Sequence, residues 1–453
     1  MIRLRFFSTT CLLVCVCILV AGCAGGSRRG DPWSKPAAAP AQNPPRDLSA
    51  SGPASVETDM TAMAGIPPQD SSVSVYDQGM EGGPGLETPA YPAVSDLPRT
   101  PVKVGLLVPL SGGKAAIGQA MLNAAQMAVF DSGLETFEIL PRDTGDSPDR
   151  ARSAARDAVA AGAQILIGPL TAPSARACAS VAQGAGVSMI SFSTDWTVAS
   201  SGPLVMGFTP FGQVRRMAEW AAENGLRRVA VLAPDNDYGN AALKTFQTRG
   251  REVGLNLVSV AKVPAHAEAF ENEVTSLLTQ AGRGPDGLAA LDAVFLPMPG
   301  DKAARVSALL SAAGLPPDRV RRMGTGLWDD AVLASTPELS GAVFAAPAPS
   351  LREEFESRYM RTYGGAPPRL STLAYDATAL AAVLARGGLE RTGRPAFSRA
   401  DVLNPNGFAG LDGIFRFRSD GLAERGVAVL TFSRGMIREA VPAPRTFQAM
   451  ERM

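Results

Sequence analysis

The sequence predicts an α/β protein: two doubly wound, parallel-sheet lobes with a cleft between them, preceded by a signal peptide and a disordered tether. Three observations predict it. From Val102 onward, short apolar runs of strand type alternate with helical patterns, and that order marks parallel sheets covered on both faces. The alternation runs through four strands and begins again near Thr209, which calls for a second sheet. The first hundred residues share none of this pattern and are rich in Pro, Gly, Ala and Ser, a composition that builds no core.

The chain opens "MIRLRFFSTTCLLVCVCILVAGC". Arg3 and Arg5 form a charged start, an apolar run extends from Cys11 to Val20, and Ala21 and Gly22 close it, so residues 1–22 read as a signal peptide. The run is too short to span a bilayer. Val20-Ala21-Gly22-Cys23 resembles the bacterial lipobox. The resemblance implies lipid attachment at Cys23 and anchorage to a membrane on the periplasmic side of the cell envelope. Residues 23–100 then form the tether, with "SKPAAAPAQNPPRD" and "GMEGGPGLETPAYPAV" showing neither helical nor strand periodicity.

The first lobe starts with the buried-type strand "VKVGLLVPL". A helix follows with Leu122, Ala125 and Val129 on one face, stopped by Gly133. "FEIL" is the second strand. The second helix has Ser147 as N-cap, Pro148 in its first turn and Gly162 past its end. "QILIGPL", a small-residue helix containing Cys178, and "VSMISF" complete the lobe. Thr209-Pro210 caps the next helix, which puts Val214, Met217, Ala218 and Ala221 inward and ends at Gly225. "RRVAVLAP", "LNLVSVAKV", "DAVFLP" and "RRMGTG" are further strands, with helices expected over Ala241–Val253, Glu268–Ala281 and Lys302–Ala313.

Right-handed crossovers put the strand-to-helix loops at the carboxyl edge of each sheet, where open α/β folds bind ligands. Four polar loops meet that rule: "PLSGGKAAIG", "GPLTAPS", "SFSTDW" and "APDNDYG". Their hydroxyls and exposed N–H groups suit a ligand carrying carboxylate or other polar groups. Other function classes fall away. Basic and acidic residues balance at 43 each, so no field steers nucleic acid. His266 is the single histidine, and it lies in a strand-to-helix connection that reads as exposed loop. Of five cysteines, only Cys178 lies in the body, where a buried packing thiol is expected. No zinc site, P-loop or G-x-S-x-G elbow is present; neither a cofactor nor catalysis is expected.

"VGLLVPLSG", "ILIGPLTAPS", "DNDYGNAAL", "STLAYDATALAAVLA" and "GFAGLDGIFRFRSDGLAERGVAVL" stand in this order, and with them the chain resembles type I periplasmic binding proteins of the leucine-binding group over roughly Val102–Pro442. The resemblance implies two lobes joined by three crossovers, with a ligand in the cleft. It divides the chain into lobe 1 at 101–210, lobe 2 at 211–320, a return to lobe 1 at 321–410, a return to lobe 2 at 411–442 and a tail at 443–453. The family's ligand contacts fall on Ser111, Thr171, Ser191, Ser193 and Thr194 of the first lobe and Tyr238 of the second. Asp195, Trp196, Trp328 and Asp329 are further cleft-lining candidates, the two tryptophans standing equally well in a core. The amino-acid receptors also use a second-lobe acid to meet an α-ammonium, and Asp301 is the one candidate for it. "ISFSTDWTVAS", "GTGLWDD" and "LSGAVFAAPAP" resemble a branch of the same fold: lipoprotein activators of penicillin-binding proteins. That branch implies a peptidoglycan synthase as partner and regulation by protein contact; the parent group implies an ABC permease and a small solute such as an amino acid.

Overall fold

Seven residues, Val102–Val108, form β1, and all but Lys103 are buried, as a strand covered on both faces requires. Its side chains alternate between two cores. Val102, Val104, Leu106 and Val108 face one cluster, and Leu107 faces the other with Leu166 and Met189. This is a computed structural model that describes residues 101–451. The expected signal peptide, the tether and Cys23 lie outside the described residues.

The first lobe continues with α1 (Ala115–Ser132), β2 (Phe137–Asp143), α2 (Pro148–Ala160), β3 (Ile165–Ile167), α3 (Ala172–Gly184), β4 (Ser188–Ser191) and β5 (Leu204–Val205). Ser147 caps α2 by accepting from the Arg150 N–H. The five strands are parallel, in the order β2-β1-β3-β4-β5. The chain then crosses into α4 (Pro210–Glu223), β6 (Arg228–Asp235), α5 (Asp237–Glu252), β7 (Asn256–Pro264), α6 (Glu271–Gln280), β8 (Ala293–Phe295), α7 (Gly300–Ala312), β9 (Arg321–Thr325) and β10 (Val343–Ala346). After these come α8 (Ser350–Tyr363), α9 (Ser371–Thr392), α10 (Arg399–Val402), β11 (Phe408–Gly410), β12 (Gly413–Phe417), β13 (Ala423–Arg425), β14 (Ala428–Ser433), β15 (Met436–Val441) and α11 (Phe447–Glu451).

The second sheet has seven strands, β15-β14-β10-β9-β8-β6-β7. It differs from the all-parallel expectation: β14 runs antiparallel to β10, and β15 antiparallel to β14. The lobe boundaries are also corrected. β9 and β10 pair within the second sheet, so the return to the first lobe starts after Ala346 and not at 321. The later boundary moves too. Phe415 and Phe417 of β12 pack in the first lobe's core beside α9, so the chain re-enters the second sheet at β14, not at 411. Residues 447–451 of the expected tail are helical.

Candidate functional site

The carboxyl end of β4 carries a chain of short-range polar contacts. Ser191 Oγ donates to the Pro169 carbonyl at 3.1 Å and accepts from the Ser193 N–H at 3.2 Å. Ser193 Oγ accepts from the Asp195 N–H at 3.1 Å. Asp195 Oδ1 accepts from the Thr197 N–H at 2.9 Å, and its Oδ2 accepts from Arg176 Nη2 at 2.6 Å. Burial raises the Asp195 carboxyl, but the Thr197 and Arg176 hydrogen bonds outweigh it and hold the group below its ordinary range. Ser191 and Ser193 are buried, Thr194 is exposed, and Thr171 donates to Ser174 Oγ at 2.9 Å. These hydroxyls are thus partly committed to holding their own loops. One retains clear capacity for a ligand: Ser193, whose O–H still has a proton to give; the Ser111 hydroxyl lies by the Asp143 carboxyl and helps hold it below its ordinary range against burial.

The first crossover leaves from this cluster. The Met206 N–H donates to the Ser191 carbonyl at 2.8 Å, and Gly207 runs so close that a Cβ there would lie 2.1 Å from Ser193 O. Only glycine lets the strand pass. Across the crossover, the Trp196 ring meets Phe211 of α4 edge-on, with centroids 5.2 Å apart. Trp196 therefore stands between the lobes.

On the second lobe, Asn236 caps α5 by accepting from the Gly239 N–H, which sets Tyr238 at the strand edge. Its hydroxyl lies 2.9 Å from Thr325 Oγ1 at the end of β9. Burial pushes the phenol up to about 12, against that hydrogen bond, so it is a neutral donor or acceptor near pH 7. Asp301 is exposed, in the first turn of α7. Trp328 takes the core alternative and is not a cleft residue. It is fully buried in the second lobe's cluster, and its Nε1 donates to the Met298 carbonyl at 2.9 Å. Gly324 makes the room: a Cβ there would lie 2.3 Å from the indole.

Asp329, expected to line the cleft, is engaged in an ion pair with its side chain only 7% exposed. It accepts from Arg352 Nη2 at 2.9 Å, with Arg369 Nε at 3.8 Å. Arg352 opens α8, whose Phe355 and Tyr359 pack on α1 in the first lobe. A buried charge system continues from there. Arg369 Nη2 donates to Asp412 Oδ1 at 2.6 Å, and the Thr372 hydroxyl donates to its Oδ2 at 2.7 Å. The Arg369 guanidinium lies 4.5 Å over the Phe208 ring, and Arg425 Nη2 donates to the Met206 carbonyl at 3.1 Å. Arg425 Nη1 is 4.0 Å from Asp376. Burial, reinforced by the neighbouring Asp412 charge, pushes Asp376 up to about 7. Asp412 is held low: burial opposes its charge, but Arg369 and Arg425 overcome that. The three segments joining the lobes run through this system, at 206–209, 347–349 and 426–427. Sequence reasoning missed it, although a lone acid inside each of "STLAYDATALAAVLA" and "FAGLDGIFRF" was a visible signal.

Residues 101–435 match the family described as Periplasmic binding protein. The chain belongs to the periplasmic binding protein family. Solved structures share the fold: a protein assigned to a branched-chain amino acid ABC transporter of Rhodospirillum rubrum is 21% identical, with TM-score 0.67, covering 75% of this chain and 99% of that one. LivJ of Streptococcus pneumoniae, solved with isoleucine, is 19% identical with TM-score 0.53 over 76% of this chain and 100% of that one. A solute-binding protein of Rhodopseudomonas palustris, solved with 3,4-dihydroxybenzoic acid, is 23% identical with TM-score 0.52 over 77% of this chain and 99% of that one. These likenesses establish the fold. The penicillin-binding protein activator LpoA of Glaesserella parasuis is 28% identical over 190 residues, which is 42% of this chain and 31% of that protein. The matched stretch thus spans under a third of the activator.

In this periplasmic binding protein the first-lobe candidates Ser191, Ser193 and Asp195 share one network, Tyr238 is tied to Thr325, and Trp196 bridges toward α4. Among the described residues, no group of three or more His, Cys, Asp and Glu side chains could hold a metal ion, and no helix is long and apolar enough to cross a membrane.

Proposed function

We propose that the protein is a non-catalytic envelope lipoprotein, anchored through Cys23, that regulates peptidoglycan synthesis by binding a penicillin-binding synthase. The observation that carries this reading is the buried ion pair that joins the lobes, Asp329–Arg352. Buried pairs of this kind favour one arrangement of the lobes, because breaking them strands a charge in a dry site. A fixed arrangement suits a docking partner better than a trap that opens and closes for each solute. The exposed position of Asp301 leaves an α-ammonium without its customary carboxylate, which also weighs against amino-acid capture. Likeness to the LpoA activator supports the same direction. The test is reconstitution: the full-length protein, added to purified synthase from the same cell, should raise its rate of glycan polymerisation or cross-linking and co-purify with it. No association and no change in rate would reject the reading.

A second reading, solute capture for an ABC importer, is favoured by one specific feature. Ser193 Oγ, buried at the strand edge, accepts from the Asp195 N–H and has a proton still to donate. Saturable micromolar binding of an amino acid such as isoleucine to the full chain would place this reading first.

A further inference from the structure

After β15 the chain touches both lobes within a few residues. Val441, the last residue of β15, and Ala443 pack against the second lobe's cores. Four residues on, Phe447 is buried against the first lobe. Its ring fills a notch beside Gly407, where a Cβ would lie 2.4 Å from Phe447 Cε2 and a φ of +73° also favours glycine. The Arg416 guanidinium of β12 lies over the ring, 4.3 Å from its centroid. β12 belongs to the first lobe through Phe415 and Phe417. Thr446 fixes the approach by capping α11: its hydroxyl accepts from the Ala449 N–H at 3.1 Å. Between the two anchors Pro444 lies against the third crossover, where a Cβ at Gly426 would stand 3.0 Å from it. Pro442 and Pro444 restrict the linker. Arg416 extends the connection. Its Nε donates to Glu424 Oε2 at 2.9 Å, and Glu424 Oε1 accepts from Arg215 Nη2 of α4, in the second lobe, at 2.8 Å.

We propose that residues 442–451 are a strap that holds the lobes in one relative arrangement, and that opening the cleft requires the Phe447 ring to leave the Gly407 notch. The step from Ala443 to Phe447 spans no more than about 14 Å even when extended, so the lobes cannot swing far apart while both anchors hold. Releasing the ring exposes it to water and uncovers the Arg416–Glu424–Arg215 chain, which opposes opening. The three crossovers join the lobes covalently and are the natural hinges. The strap, set beside the third of them, restrains the rotation they allow. The inference holds whether the partner is a synthase or a solute, and its test reads neither.

Hydrogen–deuterium exchange of the full chain, read peptide by peptide, tests it. In Phe447→Ala, peptides covering the crossovers at 206–209 and 426–427 should exchange several-fold faster, while peptides from β1 and β8, inner strands of the two sheets, keep their rates. A second variant carries Gly-Ser-Gly-Ser inserted between Pro444 and the exposed Arg445. It lengthens the span and leaves both anchors intact. The crossovers should speed up several-fold in it as well, with residues 447–451 as protected as in the unaltered chain. Acceleration in Phe447→Ala confined to 443–451 would overturn the proposal, since the ring would then serve local packing alone. If Phe447→Ala instead speeds exchange throughout the chain, the insertion decides: unchanged crossover rates there overturn the strap, and faster ones uphold it.

Discussion

Asp329 Oδ1 and Oδ2 accept from the same nitrogen, Arg352 Nη2, at 3.1 and 2.9 Å. The contact ties a loop of the second lobe to the first turn of a first-lobe helix. With side chains only 7% and 10% exposed, each is the other's main compensation for leaving water. Asp329→Ala should therefore cost about 1–3 kcal/mol, less than a fully stranded charge, because Glu356 stays 3.2 Å from Arg352 Nε. Asp329→Ala combined with Arg352→Met should recover a large part of that loss. Chemical denaturation of the four proteins in the cycle measures it, and additive single losses would show that the two side chains do not interact.

Asp376 gives the fold a pH dependence. Its folded pKa, about 7, lies above the ordinary aspartate value of 3.8, so between these values the native state holds a proton that the unfolded chain has released. Stability from this group is complete below about pH 4 and is lost as pH rises through 7. The expected fall is about 4 kcal/mol at most, and less where Asp412 and Arg425 readjust. Asp376→Asn should flatten the stability profile between pH 4 and 7 in denaturant titrations. An unchanged slope would refute the assignment.

Trp328 is predicted to matter for stability and not for ligands. Trp328→Ala should cost about 3–5 kcal/mol by emptying the space that Gly324 leaves for the indole, and Gly324→Ala should destabilise through collision with the same ring. Binding heats measured well below the melting temperature should be unaltered in either variant.

Cys178 is fully buried, its Sγ lies 3.2 Å from the Ala151 carbonyl, and burial pushes the thiol up to about 12. Native protein should resist alkylation there, and denatured protein should react fully, as peptide mass mapping would record. Cys23 is expected to behave oppositely: Cys23→Ser should move the protein from the membrane fraction to the soluble periplasm. Retention in the membrane would exclude lipid anchorage.

Much of this architecture was legible locally. The expected helix Lys302–Ala313 is observed as Gly300–Ala312, and the expected strand "LNLVSVAKV" as Asn256–Pro264, because apolar spacing and stop glycines act within a few residues. Cys178 is buried and His266 is exposed in a turn, as their flanks suggested. Sheet membership was not legible. β9 and β10 look like any buried strand, and their pairing is fixed by partners elsewhere in the chain. The candidate site was half legible. Polar residues at strand ends could be named, but not the fact that Ser191, Ser193 and Asp195 spend their hydrogen bonds on one another. Nor could sequence decide between core and cleft for Trp328, since the deciding neighbour is the absent side chain of Gly324.

The threading of the first lobe has a consequence for how it is made. Its helix α1 is covered by α9, and the Tyr375 hydroxyl reaches Asp131 across 244 positions of sequence. At ribosomal speeds of about 5–20 residues per second, roughly 12–50 s pass between the emergence of those two residues. Throughout that interval Ala120, Ala124 and Ala128 have no cover. A nascent polypeptide in that condition needs either a holdase or export in an unfolded state, and neither half can be obtained as a contiguous fragment.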